Sequence, residues 1–510
     1  MKLDPDDPTK ISSKLDENGW CLGFKARLVY QGSKREVGID HTYTEVYSTV
    51  LKVRSVRIVL SCALNHDDYL NIRIHHENLK TAFLSAELNK VVFMNYPKGI
   101  KNPGNKVLRV VRALYGLPES MRIFTDHLNR KLLGMGFVQS KADNAIYVLQ
   151  KGKSFVWLPV FVDDMFIAEN DKDLYKFVMD SLEKDFTISH LGELKYALGI
   201  RFNINLAEGF IEMDQQAQKE RLIEISGLEN CKPTKAPFQK GMVLEKLDCL
   251  ATSEDIKAQK TFEYRRKVGK IGYIVACSDP AIAYGFTQLA RHSQNPRIIH
   301  YDMNACTHLI RYIASTIDSK LRYTRQDPNK RACIISTMAD SSYADDKRDF
   351  KSHTGALGFM YGNLVWWLSR RQTMVATSTF MAETMASYEA SREMIWQRRI
   401  LEELGMPELG PSVMWQDNQG VIQNTYNNTK HDATKHINVK YYFKRERLQA
   451  GELILDYLNT KNMLADSLSK SVDSITHKNH KDIYMGYEDM SEKNGVATGK
   501  TPQCTKAYKV

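Results

Sequence analysis

The stretch Ser154–Asn170, SFVWLPVFVDDMFIAEN, sets two apolar runs, Phe155–Val162 and Met165–Ala168, on either side of the adjacent aspartates Asp163 and Asp164. Apolar strands bracketing a two-residue polar tip read as a tight β-hairpin. Asp-Asp is not a pair that turn geometry asks for, and two like charges side by side repel. A divalent cation would justify them, because hard cations take carboxylate oxygens. A solvated charged turn is the plainer reading. The surrounding sequence has to decide between the two.

With 510 residues the chain exceeds a single core, and about three domains are expected. Its net charge of +11 favours a polyanionic partner such as nucleic acid, although a basic enzyme without one fits the charge equally well. Eight cysteines are scattered with no Cys-x-x-Cys pair, which argues against structural zinc and a disulfide framework and fits a reducing compartment. The N-terminal MKLDPDDPTK is acidic and polar, unlike a signal peptide. No apolar run approaches the roughly 18 residues of a membrane span. A soluble, intracellular protein is expected.

Along the chain, Leu51–Leu64 has apolar residues at helical spacing with basic residues opposite and reads as an amphipathic helix. Pro159 interrupts the strand entering the hairpin, where a proline removes a ladder hydrogen bond unless the strand lies at an edge. Cys231–Ala258 holds Pro233 and Pro237 with little periodicity and reads as a linker. From Arg331 the pattern changes to three successive strands, a long helix Phe380–Leu404 stopped by Gly405 and Pro407, and then alternating strands and helices, an α/β domain. The stretch from Ser471 to Val510 is polar and aperiodic and is expected to be disordered.

Four carboxylates of the C-terminal α/β segment fall where elements end or begin. Asp340 closes the first strand, Glu383 stands near the start of the long helix, Asp417 ends the fourth strand and Asp466 opens the last helix, where the helix dipole suits an anion. Sites gather at strand ends of α/β domains. Converging there, the four would bind two magnesium ions that clamp a phosphodiester and activate water. Taken singly, each reads as a solvated surface acid.

A series of motifs then follows in order: KARLV at Lys25–Val29, LKTAFL at Leu79–Leu84, LYGL at Leu114–Leu117, FVDDM at Phe161–Met165, LGELKYALG at Leu191–Gly199 and SDPAIAYGFTQLARHSQNP at Ser278–Pro296. TGALGF at Thr354–Phe359, AETMA at Ala382–Ala386, WQDNQGVI at Trp415–Ile422, TKHI at Thr434–Ile437 and NMLADSLSK at Asn462–Lys470 complete it. Over Phe24–Lys470 the chain resembles the reverse transcriptase and ribonuclease H region of copia-type long-terminal-repeat retrotransposon polyproteins. The resemblance implies an α/β and α+β multidomain fold. A palm–fingers–thumb polymerase would occupy 1–230, linker and thumb or connection helices 231–330, an RNase H-like α/β domain 331–470, and a disordered tail 471–510.

It also implies roles. Asp163 and Asp164 would be the magnesium ligands of the polymerase, with Lys25 and Arg27 approaching the incoming dNTP, Phe83 reading the sugar, and Leu191–Leu194 seating the primer end. Asp340, Glu383, Asp417 and Asp466 would hold two further magnesium ions that cut RNA in an RNA–DNA hybrid. Partners would be an RNA template, a DNA primer, hybrid and dNTPs, with no membrane. Homo-oligomers or virus-like particles, in the cytoplasm or the nucleus, would follow from the family.

The departures bear on activity. The aspartate that precedes LKTAFL in the family, its third polymerase carboxylate, is Asn78 here, a neutral carbonyl in place of a charge. Glu77 is adjacent, but successive strand residues point to opposite faces. Glu119 in LPES stands where the family has a glutamine against the nucleotide, with Arg122 as its expected partner. Asn438, Ser342 and Met381 replace acidic residues, while the ribonuclease tetrad is intact. No Asp-Ser/Thr-Gly protease motif or His/Cys integrase head is in the sequence, as expected of a processed product or of a decayed or truncated element. The expected function is an RNA-directed DNA polymerase with ribonuclease H, the polymerase impaired by Asn78. The rivals are a hybrid ribonuclease alone and a non-catalytic nucleic-acid-binding relic.

Overall fold

A computed structural model describes residues 12–15, 21–25 and 28–32, and 50–488 apart from 98, 105, 240–241, 243, 245–251, 295, 297, 299–304, 329–332, 347–348 and 427–434. It divides into two compact units. One comprises Met1–Lys52 and Arg73–Glu193, the other Val53–Ile72 and Leu194–Val510. Both units are discontinuous in sequence. No described helix is long and apolar enough to cross a membrane.

In chain order the first elements are the paired strands β1 (Ser12–Leu15) and β2 (Cys21–Lys25) and the helix α1 (Val53–Asn65). The first unit continues with β3 (Arg73–Lys80), the antiparallel pair β4 (Glu87–Met94) and β5 (Leu108–Arg112), and α2 (Ser120–Gly134). Strands β6 (Val138–Gln139), β7 (Ile146–Lys151), β8 (Ser154–Phe161) and β9 (Asp164–Glu169), the helix α3 (Lys172–Leu182) and β10 (Thr187–Glu193) complete it. Six of these strands form an antiparallel sheet ordered β10-β3-β9-β8-β7-β6. Alternation along each strand sends Leu79, Met165, Ile167, Val156 and Leu158 to one face, where Phe124, Leu128 and Leu132 of α2 and Leu174, Val178 and Leu182 of α3 cover them.

β8 is a central strand rather than the edge that Pro159 would prefer. The β8–β9 ladder pairs Trp157 with Ala168 and then Val160 with Met165, passing over Leu158 and Pro159 without a change of register. The missing proline N–H is thus absorbed as a gap in one ladder.

In the second unit β11 (Tyr196–Ala197), β12 (Ile200–Asn205) and β13 (Phe210–Asp214) join β14 (Leu321–Thr324) in a four-stranded sheet. The helices α4 (Gln216–Glu224), α5 (Ser253–Phe262), α6 (Tyr264–Cys277), α7 (Ala283–Ala290) and α8 (Ala305–Ser315) lie between β13 and β14 in sequence. Leu222, Ile271, Ile274, Leu289, Leu309 and Ile313 centre a core built on α4 and α6–α8. A five-stranded sheet then contains β15 (Ile335–Ser342), β16 (His353–Met360), β17 (Asn363–Arg371), β18 (Ser412–Gln416) and β19 (Leu453–Tyr457), ordered β17-β16-β15-β18-β19. Its first three strands are antiparallel, and β18 and β19 run parallel to β15. The helices are α9 (Thr379–Glu403), capped by the Ser378 hydroxyl, α10 (Gln419–Tyr426), α11 (Lys435–Gln449), α12 (Asp466–Ser469) and α13 (Ser474–Tyr484).

Two expectations are corrected in this unit. The basic side of α1, read as opposite its apolar side, is in part internal. Arg57 is buried, its Nε donating to Val365 O at 2.9 Å and its Nη1 to Cys277 O at 2.8 Å, with the guanidinium 3.8 Å from the Trp367 ring. Residues 474–484, placed by sequence in a disordered tail, form α13, because Asp473 caps the helix and His477, Ile483 and Tyr484 are buried. Tyr312 and His477 bond at 2.9 Å, which ties α13 to α8.

Candidate active sites

The hairpin of the first unit turns on Val162 and Asp163, since Phe161 and Asp164 are the last ladder pair. Asp164 therefore belongs to β9 and is not part of the two-residue tip expected from sequence. Val162 has φ 58°, a left-handed conformation that a β-branched residue rarely adopts. The surrounding sheet holds it there, with Leu79 N donating to Asp163 O at 2.7 Å.

β3 lies beside this turn with Asn78 opposite Asp164. Asn78 Nδ2 donates to Asp164 Oδ1 at 3.1 Å and to Asp163 O at 3.3 Å. Both partners are acceptors, so the amide must present its NH2 rather than its oxygen. Two residues back on the same face, His76 Nε2 donates to the same Asp164 Oδ1 at 2.9 Å. His76 also stacks on Phe166, 5.6 Å between centroids. Glu77 points away, as strand alternation requires, and its buried carboxylate accepts from Tyr175 Oη at 2.7 Å and His190 Nδ1 at 2.8 Å. It cannot stand in for the missing third carboxylate. A divalent cation seeks anionic oxygens, whereas this face turns amide and imidazole N–H groups onto one of its two aspartates, so the residues present do not fit the metal centre expected of them.

Other expected residues scatter. Phe83 lies in the short turn Ala82–Ser85, against Tyr115 at 4.7 Å and Phe124 at 5.9 Å between centroids. Glu119 is buried at the start of α2, while Arg122 pairs with Asp126, not with Glu119 as expected. Leu191 is exposed on β10, whose register with β3 shifts between His190 and Glu193. The Lys25 side chain, Arg27 and the Asn438 side chain lie outside the described residues.

The second unit gathers its carboxylates. Asp340 of β15, Glu383 in the first turns of α9 and Asp417 just beyond β18 each bring one oxygen within 4.8 Å of the others. The parallel pairing of β15 with β18 puts the first and third together, and α9 crosses β15 to deliver the second. Asp466, the first residue of α12, stands beside Asp340 and shares Lys470 with it, the Nζ being 2.9 Å from Asp466 Oδ1 and 3.7 Å from Asp340 Oδ2. Burial, then Asp340 and Asp417, push the Glu383 carboxyl well above its ordinary range. Burial and Asp340 push Asp466 up to about 8 and raise Asp417 as well. Crowded carboxylates held above their normal pKa are what a divalent cation relieves, so these residues do fit a metal.

Side chains that the motif reading passed over hold this centre in place. Ser341 donates to Glu383 Oε1 through both N and Oγ at 3.1 Å, and Gln416 Nε2 donates to Oε2 at 3.0 Å. Ser469 Oγ donates to Asp340 Oδ2, and Thr460 Oγ1 to Asp417 Oδ2 at 2.9 Å. Helical spacing could have found Lys470, four residues after Asp466, and strand alternation could have found His76, two before Asn78. Of the two further replacements, Ser342 hydrogen-bonds Asp345 at 3.3 Å, and Met381 is buried among Ala376, Ala382 and Met385.

Residues 11–240 match the family described as reverse transcriptase (RNA-dependent DNA polymerase). The retrovirus-related Pol polyprotein from transposon TNT 1-94 of Nicotiana tabacum is 31% identical over 464 residues, covering 90% of this chain and 34% of that protein. Those from transposons RE2 and RE1 of Arabidopsis thaliana are 29% and 30% identical over 471 residues, covering 92% of this chain and 31% of each relative. The chain thus spans about a third of the length of the curated relatives it matches. Among solved structures, the foamy viral protease-reverse transcriptase in complex with RNA/DNA hybrid aligns at 11% identity and a TM-score of 0.42, over 76% of this chain and 44% of that one.

Proposed function

Since the chain belongs to the copia-type retrotransposon Pol polyproteins and carries their reverse transcriptase region, we propose that it cuts the RNA strand of RNA–DNA hybrids and is impaired as an RNA-directed DNA polymerase. One observation carries the reading. The trio Asp340, Glu383 and Asp417 converges, whereas the hairpin of the first unit has Asn78 and His76 donating where a carboxylate is needed.

Asp340, Glu383 and Asp417 would hold a divalent cation, magnesium by family, with Asp466 beside Asp340 for a second. Bound there, the cation would supply charge neutralisation at the scissile phosphate and a water of lowered pKa. The chain's own residues do the rest. Ser341 and Gln416 grip both oxygens of Glu383 and fix the plane of its carboxylate. Lys470 supplies the positive charge that lets Asp340 and Asp466 stand together.

The test is one preparation assayed twice, on a labelled RNA–DNA hybrid and on a primed RNA template, each with magnesium. Hybrid cleavage that Asp417→Asn abolishes, with little extension, is expected. Robust extension by the natural sequence, or cleavage indifferent to Asp417→Asn, overturns the reading. Binding of primer–template that weakens with salt, with neither activity, would leave only the nucleic-acid-binding relic.

A further inference from the structure

β3 carries four consecutive polar residues, His75-His76-Glu77-Asn78, in the interior of the six-stranded sheet. Each has a partner. On one face His76 and Asn78 both donate to Asp164 Oδ1. On the other, Glu77 accepts from Tyr175 and His190, while His75 bonds Glu169 at 3.0 Å and stacks 4.2 Å from the Tyr175 ring. His190 continues the chain to Glu183 at 2.7 Å. A buried polar group left without a partner is costly, and a fully satisfied network fixes one register. The run therefore ties β3 to β9, α3 and its own neighbour β10.

We propose that His76 acts with Asn78 as a positioning pair that closes the Asp163–Asp164 hairpin by hydrogen bonds in place of a divalent cation, so that restoring the carboxylate at position 78 is not enough to reopen it. The proposal rests on the reading of the hairpin as an impaired polymerase site and adds His76 to its cause. Two N–H donors sharing one carboxylate oxygen leave that oxygen with little capacity for a cation. Asn78→Asp removes one donor and adds a charge, while His76 keeps its hold on Asp164. A hydrogen bond to a charged group contributes on the order of a tenfold change in an equilibrium.

The experiment measures manganese binding by the full chain, with Asp340→Asn, Glu383→Gln and Asp417→Asn present throughout to silence the second unit. In that background no binding is expected with Asn78 and His76 in place, weak binding with Asn78→Asp, and binding about ten-fold tighter with Asn78→Asp and His76→Phe together. Phenylalanine keeps the ring against Phe166 and removes the donor. Thermal unfolding gives a second readout. Asn78→Asp should lower the transition by setting a third carboxylate beside two others, and added manganese should restore it. Equal affinity with and without His76→Phe, or binding by the background alone as tight as in the double variant, overturns the proposal. Primer extension is read separately. If the double variant binds manganese and does not extend, the polymerase reading of the hairpin falls while the role of His76 stands.

Discussion

Replacing Lys444 with methionine should stabilise the protein at neutral pH and destabilise it slightly in alkali. Lys444 lies on α11 with its side chain buried, and its Nζ donates to Ser387 Oγ of α9 at 2.7 Å. Burial, partly offset by the nearby Glu383 carboxylate, pulls its pKa from the ordinary 10.5 down to about 7. The unfolded chain therefore binds more protons than the folded one between those values, and stability rises with pH across that window. At pH 7 the lost proton affinity corresponds to a cost of at most about 4 kcal/mol relative to pH 11. Methionine fills a similar volume without a charge but forfeits the bond to Ser387, about 1 kcal/mol. A net gain of roughly 3 kcal/mol at pH 7, turning into a loss of about 1 kcal/mol at pH 11, is expected. Urea unfolding followed in the second unit's transition at both pH values reads this directly. A variant destabilised at pH 7 by as much as at pH 11 would refute the reasoning, because it would mean that the amine is not charged at a cost in the fold.

Gly355→Ala should abolish hybrid cleavage while leaving the fold intact by circular dichroism, because a Cβ there would collide with Ala465 O and stand 2.6 Å from Ser469 N, pushing Asp466 away from Asp340. Full activity would show that α12 can yield. Val162→Gly should stabilise the first unit by about 1 kcal/mol in urea, the relief of a left-handed valine outweighing the added entropy of the unfolded chain. His190 should titrate above its ordinary value by NMR, since burial opposes the charge but Glu183 and Glu77 outweigh it. Its contribution to stability is present in acid and lost as pH rises through that raised pKa, and Glu77→Gln should bring the pKa down.

The hairpin, the long helix at Thr379–Glu403 and the positions of Asp340, Glu383 and Asp417 were legible because period and element ends are local properties. Strand alternation also foretold that Glu77 could not reach the aspartates. What sequence could not convey depended on partners distant along the chain. Arg57 was one of the basic residues opposite the apolar side of a helix, and only Val365 and Cys277 make it internal. The polar segment at 474–484 looked disordered because its hydrophobic count is low, yet Tyr312 and the buried tyrosine Tyr484 give it somewhere to pack. Pro159 argued for an edge strand on local grounds, and the sheet accommodates it as a gap instead.

α1 leaves the ribosome long before β17, whose Val365 carbonyl receives Arg57 across 308 residues of sequence. At about 5–20 residues per second that interval is roughly 15–60 s, during which a helix with almost every side chain destined for burial has no completed core to enter. Cys62 on the same helix is sealed in the finished protein, its Sγ 3.7 Å from Met360 Sδ. Nascent chains arrested before residue 360 should therefore alkylate readily at Cys62, and released full-length chains should not. Equal protection in both would mean that α1 finds a temporary shelter elsewhere while synthesis proceeds.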